Sequence, residues 1–208
     1  LPSLVVLPFT NLSDAPDSEY FTDGMTADIT TELSRLSGLF VIAHASASGW
    51  RDKPVDLRQV AESLGVQYVL EGNARLIDNR LRVNVHLIDT TRDVYLWSEK
   101  YDRQMQNVFA VQDDIAANIV SALAVKLTEA EKNRAARRYT SSIAAYDDFL
   151  RGLAHYSQFT PDDNRLARDY YQQAITRDGV FARAHSAMAL TYAAEHRYGW
   201  GKPQETAL

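Results

Sequence analysis

The hydrophobic positions in the first part of the chain change their spacing several times, and each spacing predicts a different element. Leu4 to Leu7 is a short continuous apolar run, which is typical of a buried strand. A stripe that recurs every three to four residues then predicts a helix, begun by Thr22 or Asp23 as its cap and ended at Ser37-Gly38. The stripe consists of Phe21, Met25, Ile29, Leu33 and Leu36.

A second strand and a second helix follow. Leu39 to Ala43 is apolar and β-branched, which predicts a strand buried on both sides, and residues 45–54 hold enough serine, glycine and proline for a loop. Asp56 and Gln59 give the second helix a capping-box-like start, and Gly65 ends it. Because helical connections return the chain to the same end of a sheet, these strands are expected to pair in parallel with right-handed crossovers.

From Gln67 the hydrophobic period is two, which predicts an antiparallel meander. Residues 67–77 and 80–90 form a hairpin around the turn dipeptide Asp78-Asn79. A third strand runs from Val94 to Asp102, and one face of the meander is expected to be wet. A long amphipathic helix from Val108 to Leu127 is expected to cover the sheet.

The last third of the chain is expected to be helical. One helix follows Ser142, a second starts at Thr160-Pro161-Asp162, and a third follows Asp178-Gly179. The expected fold is therefore α/β, with a mixed five-stranded sheet and about three helices, followed by an all-α segment. The expected boundaries are 1–128 for the α/β domain, 129–142 for a helical linker and 143–208 for the helical segment.

Spacing within the helical segment resembles a tetratricopeptide repeat. In the second helix of such a repeat, small residues and an aromatic residue pack hairpin against hairpin, and Ala167, Tyr171 and Ala174 stand at those positions. Gly152 matches the small residue of the first helix, whereas Gly179 stands where proline is usual. The resemblance implies a truncated array of such repeats.

The α/β part resembles a known bacterial domain in five ordered blocks. The blocks are Val5-Val6-Leu7-Pro8-Phe9 with Asn11-Leu12-Ser13, Glu19-Tyr20-Phe21 with Asp23-Gly24-Met25-Thr26, and residues 36–43, 64–72 and 96–103. They resemble the TolB-N-terminal-like (FlgO-like) αβ domain, which in bacteria commonly precedes tetratricopeptide repeats. The resemblance implies a regulatory setting, as in the C-terminal regions of class III adenylate cyclases or the sensory regions of CadC-like and HilA-like transcription activators.

Composition narrows the chemistry. The 208 residues hold no cysteine, which excludes disulfides, thiolate metal sites and a cysteine nucleophile from this chain. Residues 1–128 carry 11 Lys and Arg against 17 Asp and Glu, and this acidic balance disfavours nucleic acid as a partner. No apolar run approaches the ~20 residues of a membrane-spanning helix. Because the chain starts at Leu1-Pro2, we expect a longer protein that reaches a membrane only through an upstream segment.

No pattern in the sequence points to catalysis, a metal or a cofactor. The five histidines never fall at the i, i+4 spacing of a helical metal site, and no carboxylate cluster accompanies them. The sequence also has no nucleophile elbow and no glycine-rich phosphate loop. Lys132, Arg134, Arg137 and Arg138 form a basic cluster that we interpret as a solvated connector, with an anion or membrane contact as the alternative.

Candidate ligand contacts lie where open α/β sheets bind ligands, near the carboxyl ends of the strands. The candidates are Phe9, Asp23, Gly24, Ser46 and Ser48. A plainer interpretation has Asp23 capping a helix and Gly24 letting the loop approach the sheet.

A candidate interaction surface lies at the end of the third helix of the last segment. A solenoid repeat buries its face only against a neighbour, so the aromatic side chains there need a cover. Tyr192, Tyr198 and Trp200 therefore predict a protein partner, or self-association through the helical repeats.

The sequence predicts a non-catalytic regulatory or protein-interaction module of a bacterial signalling protein. The first setting is the C-terminal region of an adenylate cyclase, with any enzymatic activity in another part of the parent chain. The alternatives are the periplasmic sensory domain of a CadC-like activator and a small-molecule-binding sensor. The compartment stays open, although the resemblance favours an extracytoplasmic location.

Overall fold

The predicted α/β fold and the helical segment that follows it are both present in the structure, a computed structural model that describes residues 1–13, 18–51, 56–128, 130–131 and 139–200. The chain divides into two compact units, Leu1–Arg138 and Tyr139–Leu208. The first unit is α/β and the second is all-α. The fold class expected from the sequence is therefore confirmed.

One mixed sheet organises the first unit. Strands β1 to β6 span Ser3–Val6, Thr10–Asn11, Phe40–Val41, Tyr68–Ile77, Arg80–Asp89 and Val94–Gln104. The order is β3-β1-β4-β5-β6, and β2 pairs with β4 beyond the end of β1. β1 pairs in parallel with both β3 and β4, and β2 pairs in parallel with β4. The β4–β5 and β5–β6 pairs are antiparallel. The sheet thus has the five expected strands and, in addition, the two-residue β2.

Seven α-helices are found in the described parts of the chain. In the first unit, α1 to α4 span Glu19–Ser34, His44–Ala47, Leu57–Leu64 and Val108–Ala122. In the second unit, α5 to α7 span Ile143–Ser157, Pro161–Arg177 and Ala182–Tyr198. Two 3-10 turns, Ser48–Trp50 and Met105–Asn107, follow α2 and β6. None of the helices in the described ranges is long and apolar enough to cross a membrane.

Helices cover both faces of the parallel part of the sheet. On one face, Val5, Leu7 and Val69 pack with α3 and α2 in a cluster that includes Val60 and Ala47. Because successive side chains of a strand point to opposite faces, Leu4, Val6 and Leu70 face the other way, and all three are buried. Contacts of α1 with β1 and of α4 with β5 and β6 place these two helices over that second face.

The antiparallel part is covered on one face and polar on the other. Four fully buried residues of β5 point towards α1 and α4, namely Leu81, Val83, Val85 and Leu87. On the opposite face Asn84 donates to Asn73 over 2.7 Å, and Arg80 and Arg82 both bind Asp102. The hairpin register also follows the prediction, because Ile77 pairs with Arg80 across Asp78-Asn79. The meander therefore has the expected wet face.

Helix α1 begins earlier than the sequence predicts. Its N-cap position is Ser18, whose side chain makes no capping hydrogen bond, and both Thr22 and Asp23 lie inside the helix. The prediction that one of them caps the helix is wrong, because the helix already begins at Glu19. The Asp23 carboxylate instead pairs with Arg51, a contact that spacing within the helix does not reveal. The predicted stripe is nevertheless confirmed from Phe21 to Leu33, where all four stripe residues are buried.

Three further predictions differ from the structure. Phe40 is 54% exposed rather than buried on both sides, because β3 is a two-residue strand at the edge of the sheet. The region predicted as a loop from residue 45 contains α2 and a 3-10 turn, and residues 52–55 of it lie outside the described part. Helix α4 ends at Ala122 instead of Leu127, since Ala124 adopts a φ of +50° that no helix continues through.

Glu131 ties the chain after α4 to the chain after α1. Its carboxylate accepts hydrogen bonds from the backbone N–H of Ser37 and from both the N–H and the hydroxyl of Thr128, each over 2.7 Å. These hydrogen bonds lower the pKa of Glu131 to about 2. Thr128 and Glu131 also match the capping-box spacing, a signal that the sequence offers and that the predictions missed. The basic cluster at residues 132–138 lies outside the described residues.

Small residues set the spacing between α5 and α6. Ser142 and Thr160 cap the two helices, accepting from the N–H groups of Ala145 and Asp163. Gly152 lies directly against the Tyr171 ring, where an added Cβ would come within 2.5 Å of the ring. The Tyr171 side chain is fully buried, so the ring cannot move aside into solvent. Close approach of α5 to α6 therefore depends on a residue without a side chain at position 152.

We expect Gly152→Ala to destabilise the chain even though alanine is the better helix former. The gain in helix propensity is about 1 kcal/mol, whereas overpacking a filled site costs about 1–3 kcal/mol. Urea unfolding should show a lower free energy of unfolding. The control for an added methyl group is Gly179→Ala in the turn after α6, where the added Cβ would meet nothing closer than the Ile175 carbonyl oxygen at 3.9 Å. A Gly152→Ala protein at least as stable as the wild type would contradict this packing.

Candidate functional site

Charged groups from three segments meet near the carboxyl ends of β1 and β3. Arg51, which follows the 3-10 turn, places Nη1 2.7 Å from Glu19 Oε1 and 2.6 Å from Asp23 Oδ1, both on α1. His44, the first residue of α2, is half-buried and close enough to Asp23 and Arg51 for both charges to act on its pKa. We call these four residues the Arg51 cluster.

The electrostatics of the Arg51 cluster disfavour the charged form of His44. Burial lowers the pKa of His44 below 6.5, the Asp23 carboxylate partly opposes this effect, and the Arg51 guanidinium adds to it. The buried Nδ1 atom of His44 has no hydrogen-bond partner among the described residues. Burial also disfavours the charge on Arg51, but hydrogen bonds and charge from Asp23 and Glu19 raise its pKa overall. The cluster thus combines the ion pairs of Arg51 with an imidazole whose charged form is disfavoured.

Two of the predicted ligand contacts take part in packing between β1, β4 and α1. Phe9 is 3% exposed, and its N–H donates to Thr26 Oγ1 over 3.2 Å. Its ring lies over Gly72, where an added Cβ would come within 3.0 Å of the ring and 2.6 Å of the Asn84 carbonyl oxygen. Gly24 is buried within α1. A ligand role for Phe9 and Gly24 stays a prediction, and their described contacts are those of the protein core.

The two predicted serine contacts lie at the surface, next to the Arg51 cluster in sequence. Ser46 belongs to α2 and is exposed, and its N–H donates to the Ala43 carbonyl. Ser48 is exposed too, and its hydroxyl donates to the Ala45 carbonyl over 2.7 Å. Asp23, Ser46 and Ser48 are therefore the predicted residues that a solvent-borne ligand could reach.

The sequence predictions missed Glu19, His44 and Arg51. Arg51 is 32 residues from Glu19, and it falls in a stretch whose composition predicts a loop, so no local pattern connects them. They meet only because β1 and β3 pair in parallel and bring the ends of their connections to one edge of the sheet. A fold-level argument about where parallel strands end was the available signal.

A groove between α1 and α4 was also missed. It has a volume of about 140 Å³, and its apolar lining includes Leu36, Ala116, Val120 and Leu127. Glu32, Arg35 and Asp113 are among the charged residues around it. Both helices carry the amphipathic stripes that the sequence predicts, but the space between two stripes follows from their packing and not from their periodicity.

The predicted interaction surface of the helical unit contains one aromatic patch and one separate tyrosine. Tyr198 and Trp200 stack at 5.3 Å, and both contact the ring of Phe159, at 4.9 and 5.3 Å. Phe159 is 53% exposed and Tyr198 48% exposed, so much of the patch faces solvent. Tyr192 lies instead under the Arg168 guanidinium, 3.9 Å from the ring centre. We call Phe159, Tyr198 and Trp200 the aromatic patch.

The described residues contain no group of three or more histidine, aspartate or glutamate side chains placed to hold a metal ion. The Arg51 cluster has two carboxylates and one imidazole, but the arginine between the carboxylates occupies the position that a cation would need. What this arrangement offers a ligand is hydrogen bonding and charge, not coordination.

Comparison with known proteins places the sheet in a regulator family. Residues 2–118 match the family described as "HilA/YgeH-like transcriptional regulator, second domain". The chain belongs to this family. The HilA/YgeH-like domain therefore contains the whole sheet, the Arg51 cluster and most of α4, and the helical unit lies beyond the match.

A curated relative extends the similarity past the HilA/YgeH-like domain. The protein named "Putative adenylate cyclase 3" from Rhizobium meliloti (strain 1021) is 43% identical over 189 residues. The similarity covers 91% of this chain and 32% of the relative, so the chain spans about a third of that protein's length. Since the first unit has 138 residues, an alignment of 189 residues must include part of the helical unit.

Solved structures show weaker likeness to the HilA/YgeH-like chain. TolB from Acinetobacter baumannii is 16% identical with a TM-score of 0.44, over 62% of this chain and 29% of TolB. Lipoprotein GNA1162 from Neisseria meningitidis is 18% identical with a TM-score of 0.43, over 62% of this chain and all of GNA1162.

Two variants of the Arg51 cluster should shift the pKa of His44 in opposite directions. Arg51→Gln removes a cation and should raise the pKa of His44, whereas Asp23→Asn removes an anion and should lower it further. NMR titration of the His44 ring measures both changes. Equal values of this pKa in the wild type and both variants would contradict the geometry.

The same titration has a consequence for stability. Since the pKa of His44 is lowered on folding, the unfolded chain binds its proton first as pH falls below 6.5, and the folded state loses stability as pH falls through the folded-state pKa. Arg51→Gln should weaken this pH dependence and Asp23→Asn should strengthen it.

Proposed function

We propose that this chain is a non-catalytic regulatory or protein-interaction module of a bacterial signalling protein, namely the C-terminal region of an adenylate cyclase. The observation that carries the proposal is the 43% identity that runs from the α/β unit into the helical unit. The chain spans only 32% of that relative, which leaves most of the relative's length for an output domain. Membership of a transcriptional regulator family supports the regulatory part of the proposal.

The proposal also assigns a domain family to each of the two units. For the α/β unit we propose a TolB-N-terminal-like domain, and for the helical unit a truncated tetratricopeptide array. The packing of Gly152 against Tyr171 supports the second assignment, as does the complete burial of Ala167 and Ala174. In such an array the aromatic patch is covered by a protein partner or by another copy of the chain.

A second candidate is the sensory or regulatory domain of a transcription activator, with a periplasmic CadC-like arrangement as one form of it. The description of the matched family favours this candidate. The two candidates share a regulatory role for the chain and differ in the output: one parent makes cyclic AMP, and the other binds DNA. A small-molecule sensor is compatible with either, with Asp23, Ser46 and Ser48 as its accessible contacts.

The test uses the Rhizobium meliloti relative as host. Deleting the stretch that aligns with this chain should leave cyclic AMP synthesis measurable but change its rate or its response to growth conditions. Inserting this chain in its place should restore the regulated rate. The isolated chain, incubated with ATP and Mg²⁺ or Mn²⁺, should produce no cyclic AMP.

The matched control is a chimera with Val85→Asp, which places a charge at a fully buried position of the sheet and should not restore regulation. Two results would contradict the proposal. One is synthesis that is the same with and without the aligned stretch under every condition, and the other is cyclic AMP formation by the isolated chain.

A further inference from the structure

β6 forms one edge of the sheet along its whole length. It is 11 residues long, from Val94 to Gln104, and among the described residues it pairs with β5 alone. A long strand with one unpaired edge is a template for pairing with another chain. Proteins usually protect such an edge with charged residues, and β6 carries four of them, Glu99, Lys100, Asp102 and Arg103.

The backbone groups that face outward from β6 belong to its even-numbered residues. Just past the strand, the Met105 N–H donates to the Asn79 carbonyl of the β4–β5 turn over 2.8 Å. The backbone N–H of Met105 therefore points towards β5. Because the direction of the backbone groups alternates along a strand, the N–H and C=O groups of Arg103, Tyr101 and Glu99 point towards β5 as well. The N–H and C=O groups of Ser98, Lys100, Asp102 and Gln104 therefore point away from the sheet.

A contact at the outer edge agrees with this assignment. The guanidinium of Arg103 donates to the carbonyl oxygen of Asp102 over 3.3 Å, and both lie at the protein surface. The Asp102 carbonyl is thus directed away from β5, as the alternation requires. Leu87 pairs with Trp97, whereas Ile88 pairs with Tyr95, so the register between β5 and β6 shifts at this point. This β-bulge interrupts the regular edge of β6 before Trp97. The regular outer edge consequently runs from Ser98 to Gln104.

The geometry points to a homodimer formed by antiparallel pairing of this edge, Ser98 to Gln104, with the same edge of a second copy. Antiparallel pairing about a two-fold axis needs even-numbered residues opposite even-numbered ones, because only these offer hydrogen bonds outward. With Tyr101 on the axis, Lys100 faces the partner's Asp102, and Glu99 faces the partner's Arg103. Every charge on the edge then lies opposite a charge of the other sign.

Neighbouring registers lack this complementarity. If the two-fold axis moves by one residue along the strand, Lys100 lies opposite the second copy's Lys100, or Asp102 opposite the second copy's Asp102. If it moves by two residues towards Glu99, the two Glu99 side chains lie opposite each other. Like charges directly opposite one another destabilise a strand pair, and opposite charges stabilise it. The segment Glu99-Lys100-Tyr101-Asp102-Arg103 is therefore charge-complementary to itself in one register, and that register specifies a second copy of this chain as the occupant.

The two faces of the sheet continue across such an interface. Lys100 and Asp102 lie on the polar face, where Asp102 already binds Arg80 and Arg82, so the partner's Lys100 would extend an existing charge network. Tyr101 lies on the other face, where it is buried and bonds Asn118 of α4 through its hydroxyl group. The dimer would thus join two sheets into one without exposing or burying an unpaired charge.

The experiment is a charge swap at Glu99 and Arg103, which are both exposed and four residues apart on one strand. The complete 208-residue chain is studied by sedimentation equilibrium from about 1 μM to about 200 μM. We expect a monomer–dimer equilibrium. Glu99→Arg and Arg103→Glu should each raise the dimer dissociation constant about tenfold, because each dimer contains the contact twice, and the double variant should restore it.

A backbone variant tests the edge itself. Lys100→Pro removes an outward N–H, which an edge strand tolerates, and should leave the chain monomeric while its circular dichroism spectrum stays that of the wild type. A wild type that is monomeric at every concentration overturns the inference. So does a dimer that is unaffected by these variants, and a dimer that dissociates only on Tyr198→Ala or Trp200→Ala would assign the contact to the aromatic patch instead.

Discussion

β4 is hydrogen-bonded along both of its edges, to β1 and β2 on one side and to β5 on the other. This double pairing is the constraint on which the first unit depends, because it joins a parallel half that needs helical crossovers to an antiparallel half that does not. At the start of β4, Val69 and Leu70 are both fully buried, one under each layer of helices. From Glu71 onward one face is polar, and the sheet is covered on a single side.

The sequence predicted those features of the fold that depend on local pattern. The period-two alternation of β5 located a strand with four fully buried residues, and the Asp56 cap and Gly65 terminus fixed α3, where Gly65 adopts the expected left-handed φ of +67°. The sequence-based predictions failed where contacts between residues distant in sequence determine the structure. The cap of α1 was predicted at Thr22 or Asp23, but the helix begins at Glu19 and Asp23 pairs with the distant Arg51. The exposure of Phe40 follows from the position of β3 at the sheet edge.

The same distinction applies to the candidate site. Asp23, Ser46 and Ser48 were predicted from the rule that parallel strands present ligands at their carboxyl ends; Asp23 lies in α1, Ser46 in α2 and Ser48 in the 3-10 turn that follows α2. Glu19, His44 and Arg51 could not be added from the sequence, because their relation exists only once β1 and β3 are paired. Phe159, likewise, joins the aromatic patch through a turn whose positive φ no spacing rule predicts.

Amide hydrogen exchange in dilute solution, read residue by residue by NMR, tests the central position of β4 most directly. If β4 is bonded along both edges, consecutive amides such as those of Val69 and Leu70 should both be protected. In β6 protection should alternate, with Tyr101 protected and Lys100 exchanging fast, since its outer edge is free in the monomer. Alternating protection in β4 would contradict the account, because it would show that β4 is paired along one edge only.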